Sequence, residues 1–127
     1  MTTAALRPRR RGQATSTGLT PATILTFTPV ETSCIINVIA RVVVRDSTNS
    51  GSSSWIIACS FSNVAGTMTQ IGSNTVLDTK AEVASTAVLP VVQATGSGGI
   101  TITGVSSQGG AVLLWDAEFD VLEYQFA

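Results

Sequence analysis

Hydrophobic and polar residues alternate along much of this chain, most strictly near its C-terminal end. From Leu113 the alternate positions Leu113, Trp115, Ala117, Phe119 and Val121 are apolar, whereas the interleaved Asp116, Glu118 and Asp120 are all acidic. A period of two places these sets on opposite faces of a β-strand. A second strand is predicted over residues 35–45. There Ile36, Val38, Ala40, Val42 and Val44 form an unbroken apolar face, and Asn37, Arg41 and Arg45 lie on the other. Trp55, Ile57, Cys59 and Phe61 mark a third.

Weaker alternation predicts shorter strands over residues 22–28, 67–71, 75–79, 87–93 and 100–103. The first is expected at a sheet edge, with Leu25 and Phe27 on one face and Pro29 ending it. Pro90 suits the fourth to an edge or a bulge. Between the strands lie turn formers: a long polar loop over 46–54, a turn over 63–66, a break at Gly72-Ser73-Asn74, a glycine-rich turn over 96–99 and a polar loop over 104–110. Lys80, Ala81, Glu82 and Ala84 are good helix formers, but the β-branched residues around them predict irregular structure. About eight short strands without a helix predict an all-β domain over residues 21–127. Its expected form is an antiparallel β-sandwich or jelly roll, with a closed barrel as the alternative. Residues 1–20 show no periodicity and read as a flexible arm.

Charge gives that arm a possible purpose. The net charge is −1, yet Arg7, Arg9, Arg10 and Arg11 fall in the first eleven positions, and beyond them Arg41, Arg45 and Lys80 face all eight acidic residues. A basic arm ahead of an acidic body is suited to docking on an acidic surface or, less in keeping with the rest of the chain, on nucleic acid, so these four arginines are the candidate partner-binding residues. Charged residues make up 12% of the chain, about half the usual share. Ser, Thr and Asn replace them, as in β proteins with uncharged polar faces. No apolar core follows the basic cluster as a secretory signal requires, and the longest apolar run is far shorter than a spanning helix. Cys34 and Cys59 lack metal or redox spacing and read as buried thiols.

The candidate chemistry reduces to the acidic ladder. Same-face neighbours on a strand are about 6.8 Å apart, a spacing that invites a carboxylate pair or a calcium site. Both need a concave site and more oxygen ligands than a linear ladder offers. Exposed ion pairing across the sheet with Arg41 and Arg45 is the expected role. With no histidine in the chain, Ser-His and Cys-His nucleophile pairs are excluded, and Gly96-Ser97-Gly98-Gly99 lacks the lysine of a phosphate loop. Trp55, Phe61, Trp115 and Phe119 fall on apolar faces, which argues against a nucleic-acid stacking platform. A carbohydrate-binding module would need exposed aromatics, and Tyr124 alone is an outward candidate. No catalytic residue, metal or cofactor is expected, and the chain reads as non-enzymatic.

Gly99-Ile100-Thr101-Ile102-Thr103-Gly104, followed after a glycine-containing loop by Val112-Leu113-Leu114-Trp115-Asp116-Ala117-Glu118-Phe119, resembles a pattern in small β-sandwich virion proteins of tailed bacteriophages. Gly66-Thr67-Met68-Thr69-Gln70-Ile71-Gly72 is similar to the mid-chain hairpin of that family, and residues 36–45 to its first long strand. The resemblance runs over residues 31–124. It implies a virion location and a homo-oligomer, typically a trimer, that contacts capsid or other virion proteins. With the basic arm, it favours a head decoration (cement) protein; the alternative is a tail or fibre component that touches the host surface through the 46–54 or 104–110 loops. It implies no small-molecule substrate and no membrane partner.

Overall fold

The alternation becomes two antiparallel sheets. A computed structural model describes residues 3–6, 8–29, 32–95 and 98–126, the first four by their backbone alone. The strands are β1 (Thr3–Leu6), β2 (Arg10–Thr17), β3 (Ala22–Phe27), β4 (Ser33–Asp46), β5 (Gly51–Val64), β6 (Thr67–Ala81), β7 (Val91–Ala94), β8 (Ile100–Gly104) and β9 (Val112–Gln125). The larger sheet runs β1-β9-β4-β5-β6, with β2 beside β1 on the same flank of β9, and the smaller runs β3-β8-β7. The chain is a β-sandwich of two separate sheets, not a closed barrel.

The core lies where the apolar faces meet. Ile36, Val38, Ala40, Val42 and Val44 from β4, the alternate set Trp55 to Phe61 from β5 and the odd positions Leu113 to Val121 of β9 all point inward. Ile24, Phe27, Val92, Ile100 and Ile102 of the smaller sheet close over them. Trp115 stands near the centre of this contact. Its ring stacks on Trp55 with centroids 6.2 Å apart, and its indole N–H donates to Ser16 Oγ at 2.8 Å. Gly104 lies under the same ring: a Cβ there would sit 2.5 Å from Trp115 Cε2, so only glycine lets the backbone of β8 approach so closely.

Several expectations change. The arm expected over residues 1–20 is not an arm at Thr3–Leu6 and Arg10–Thr17: both pair with β9, carrying the larger sheet across the boundary drawn at residue 20. The physical cause is the alternation of Arg11, Gln13 and Thr15 with the small residues Gly12, Ala14 and Ser16, which lets β2 lie close against β3; a Cβ at Gly12 would meet Ile24 O at 2.2 Å. The loop expected over 46–54 shrinks to four residues, because Ser52 and Ser54 extend β5 and Asp46 pairs with Gly51. The break at residues 72–74 is absorbed as a bulge, so the two short strands expected there are one strand, β6. A register shift between Thr23 and Leu25 turns Ile24 and Phe27 inward in place of Leu25 and Phe27. Pro90 delays β7 to Val91. Residues 82–90 contain no helix, and Ala65 and Gly66, both at positive φ, form the two-residue turn between β5 and β6. The 96–99 turn is described only at Gly98 and Gly99, residues 96 and 97 lying outside the described residues. Cys34 and Cys59 are buried and not bonded to one another, and burial pushes the Cys59 thiol up to about 11.

Two outcomes are expected from this packing. Trp115→Ala should lose about 3–5 kcal/mol in urea unfolding, the usual range for removing a buried tryptophan; a loss under about 1 kcal/mol would place the ring at the surface. Removal of residues 1–17 deletes β2 and the Ser16 acceptor. It should lower stability by more than about 2 kcal/mol, counting the unpaired indole N–H alone at roughly 1–3, whereas a truncated protein as stable as the full chain would mean that β2 is not part of the sheet.

Candidate functional site

Facing away from the core, the larger sheet presents a broad surface that nothing among the described residues covers. Its centre is the acidic ladder of β9. Register places Arg11 of β2 and Arg41 of β4 on either side of Glu118, and the guanidinium groups reach diagonally to its neighbours. Arg11 Nη2 lies 2.5 Å from Asp116 Oδ2, and Gln13 Nε2 donates to the same oxygen at 3.1 Å. Arg9 Nε donates to Asp120 Oδ1 at 2.7 Å and lies 3.5 Å from Glu118 Oε1. Arg41 pairs with the other oxygen of Asp120. Three carboxylates are thus interleaved with three arginines from both neighbouring strands.

The electrostatics follow from this geometry. Hydrogen bonds from Arg11 hold the Asp116 carboxyl below the usual carboxylate range against the opposing effect of partial burial. At Asp120 burial acts against the charged form, but hydrogen bonds from Arg41 and Arg9 outweigh it and the net shift is downward. The ladder is therefore charged and self-neutralised at neutral pH. Because its arginines are well exposed, solvent screening leaves each pair a small contribution to stability. Among the described residues no group of three or more His, Cys, Asp or Glu is placed to hold a metal ion.

The predicted site residues thus separate. Arg9 and Arg11 are on the ladder, as partners that the periodicity of β9 alone does not reveal. Arg10 points the other way, its guanidinium carbon 5.8 Å from the centre of the Phe27 ring, and Arg7 lies outside the described residues. Arg41 pairs with the ladder as expected. Arg45 does not; it donates to Ser52 Oγ at 3.1 Å and lies 3.9 Å from Glu82, because its position on β4 is opposite Leu114, beyond the acidic run. The signal that would have placed Arg9 and Arg11 is the alternation of Arg9, Arg11, Gln13 and Thr15 through the presumed arm.

Exposed apolar residues flank the ladder. At one end Ile35, Leu122 and Tyr124 are exposed, with Ile35 directly opposite Tyr124. At the other end Val43 and Leu114 are exposed beside a shallow groove of about 390 Å³, which Arg45, Ser52, Ser54 and Lys80 also line. Lys80 is engaged by Asp78 at 2.6 Å. Exposed apolar residues thus lie at both ends of a charge-balanced centre on this face.

Asp46 is the one residue of note that sequence reasoning left within a loop. It is fully buried, and its two carboxylate oxygens accept from the backbone N–H groups of Thr48, Asn49 and Thr86, the Thr86 hydroxyl and the Asn49 side-chain amide. Burial pushes its pKa up, but these donors overcome that effect and hold it far below the usual range. Asn49 also donates to Gln108 Oε1 at 2.8 Å and Thr86 meets Ser106 at 2.7 Å, so one carboxylate ties together three loops.

The class of protein these features define is a two-sheet antiparallel β-sandwich with a charge-balanced outer face. No family model matches the chain, and no curated protein matches it. Among solved structures, the tailspike protein of Acinetobacter baumannii phage AM24 aligns over 98% of this chain at 8% sequence identity, with a TM-score of 0.41. This chain spans 26% of the length of that one.

The buried carboxylate generates a pH prediction. A group whose pKa is lowered by folding stabilises fully above its unfolded value, about 4, and the contribution is lost as pH falls through the folded value. Asp46→Asn should therefore be less stable than wild type at pH 7 and should flatten the acid limb of stability below about pH 4. Parallel acid limbs for the two proteins would show that Asp46 does not titrate with unfolding.

Proposed function

We propose that this protein is a non-enzymatic structural component of a tailed-phage virion, acting as a head decoration protein that lies against capsid subunits through the outer face of its larger sheet. The observation that supports this reading is the self-neutralised ladder flanked by Ile35, Leu122 and Tyr124 on one side and Val43 and Leu114 on the other. A flat apolar-and-paired-charge surface can be covered by a partner without leaving a like-charge conflict. The resemblance of the β8-to-β9 segment to phage virion sandwiches supplies the particle. Docking is by the folded face, in which Arg9 and Arg11 take part, in place of a loose basic arm. A protein that binds only assembled capsid stabilises it by mass action.

The tail or fibre reading has its own support. Asn49 and Gln108 join the tips of the 46–54 and 104–110 regions at one end of the sandwich, which gives a contiguous loop surface of the kind that binds ligands.

Binding of purified protein to isolated heads distinguishes the two. The double substitution Leu122→Lys and Tyr124→Lys should abolish co-sedimentation with heads while the circular dichroism spectrum stays that of wild type. Undiminished head binding by this variant would contradict docking through the sheet face, and binding to tails alone would favour the second reading.

A further inference from the structure

One end of the outer face keeps a cationic group that the ladder does not use. Arg9, Arg11 and Arg41 are each held by a carboxylate of β9, and Arg10 stands over the Phe27 ring. Arg45 differs. A guanidinium has five N–H donors, yet Arg45 gives one hydrogen bond to the neutral Ser52 hydroxyl and lies 3.9 Å from Glu82, beyond hydrogen-bond reach. It lines the groove of about 390 Å³ that runs from Leu114 to Lys80. No acidic residue among the described ones lines that groove, so its wall carries the charges of Arg45 and Lys80 alone. Asp78 takes one donor of the Lys80 ammonium at 2.6 Å, and an ammonium has three. Ser54 stands between the two cations. Its partner on β6 is Lys80, and its partner on β4 is Val43, two positions along the strand from Arg45. No hydrogen bond among the described residues engages the Ser54 hydroxyl.

The dimensions of the groove indicate its occupant. It crosses four strands, from Leu114 on β9 through β4 and β5 to Lys80 on β6. Three strand spacings of about 4.8 Å span roughly 14 Å. That is the length of about four residues of extended chain, in which side chains i and i+2 point the same way about 6.8 Å apart. We propose that the groove binds an extended acidic segment of a partner protein, laid across the strands, in which an apolar residue is followed two positions later by Asp or Glu. The apolar side chain covers Val43 and Leu114, which are 56% and 49% exposed. A step of about 6.8 Å from there ends above β5, where the carboxylate meets the Ser54 hydroxyl beneath it and Arg45 and Lys80 on either side. A guanidinium with free donors can hold a carboxylate through two parallel hydrogen bonds. The groove is shallow, which suits a chain lying on the sheet better than a small molecule, whose sites enclose most of its surface. The groove lies at one end of the face assigned to docking, but only the identification of the segment's carrier as a virion protein rests on that reading.

NMR titration of the isotope-labelled full chain with the peptide acetyl-Leu-Ser-Glu-Ser-amide tests the site. Saturable amide shifts are expected at Val43, Arg45, Ser54, Lys80 and Leu114. Glutamine in place of the peptide's glutamate should weaken binding about tenfold or more, because the charge-assisted hydrogen bonds are lost. Arg45→Gln should do the same with an unchanged circular dichroism spectrum. The double variant Arg45→Glu, Lys80→Glu should lose the glutamate peptide and bind the analogue with lysine at that position. No saturable shift, shifts centred elsewhere, equal binding of the glutamine peptide, or full-strength binding by Arg45→Gln would each overturn the proposal. Peptide binding by a protein that does not sediment with heads would count against the virion reading and leave this one standing; head binding without peptide binding would do the reverse.

Discussion

The contact between Trp115 and its surroundings holds the two sheets in one arrangement. The ring needs Trp55 beside it, Gly104 beneath it and Ser16 to accept its N–H. These requirements come from β5, β8 and β2, so one side chain of β9 joins both sheets and the N-terminal edge. An indole N–H buried without an acceptor would cost about 1–3 kcal/mol, which makes the N-terminal strand part of the fold and not an appendage. Once β2 is fixed there, Arg9 and Arg11 necessarily stand beside the acidic residues of β9.

The outer face is therefore a consequence of the core. Alternation on β9 sends Trp115, Ala117 and Phe119 inward and Asp116, Glu118 and Asp120 outward, and the strands on either flank deliver arginines to the same level. The ladder contributes little stability, because its members are exposed. Its effect is to leave the middle of the face neutral and ordered, with apolar residues at both ends. Asp46 does the opposite: it is buried, heavily hydrogen-bonded and structural, and it gives the loop end its shape.

The long strands were legible because a single buried face imposes strict period two over many residues, as in β4, β5 and β9. The fold class followed from them. What escaped were features that depend on contacts remote in sequence. β2 looked like a polar arm since its inward residues, Gly12, Ala14 and Ser16, are small and not apolar, a choice that makes sense only beside β3 and Trp115. β6 looked like two strands because Gly72 reads as a break when its bulge partner on β5 is unknown. Of the ladder, the three carboxylates and Arg41 were legible and Arg9 and Arg11 were not; Arg45 failed because register, not composition, decides which residue lies opposite. Asp46 looked like an ordinary turn residue because its donors at Thr86 come from forty positions away.

The virion role is tested most directly by a three-dimensional reconstruction of a particle carrying this protein by cryo-electron microscopy. Sandwich-shaped density is expected on the head exterior, with the Asp116–Asp120 face of the larger sheet turned toward neighbouring subunits. Density confined to the tail, or that face turned to solvent, would contradict it.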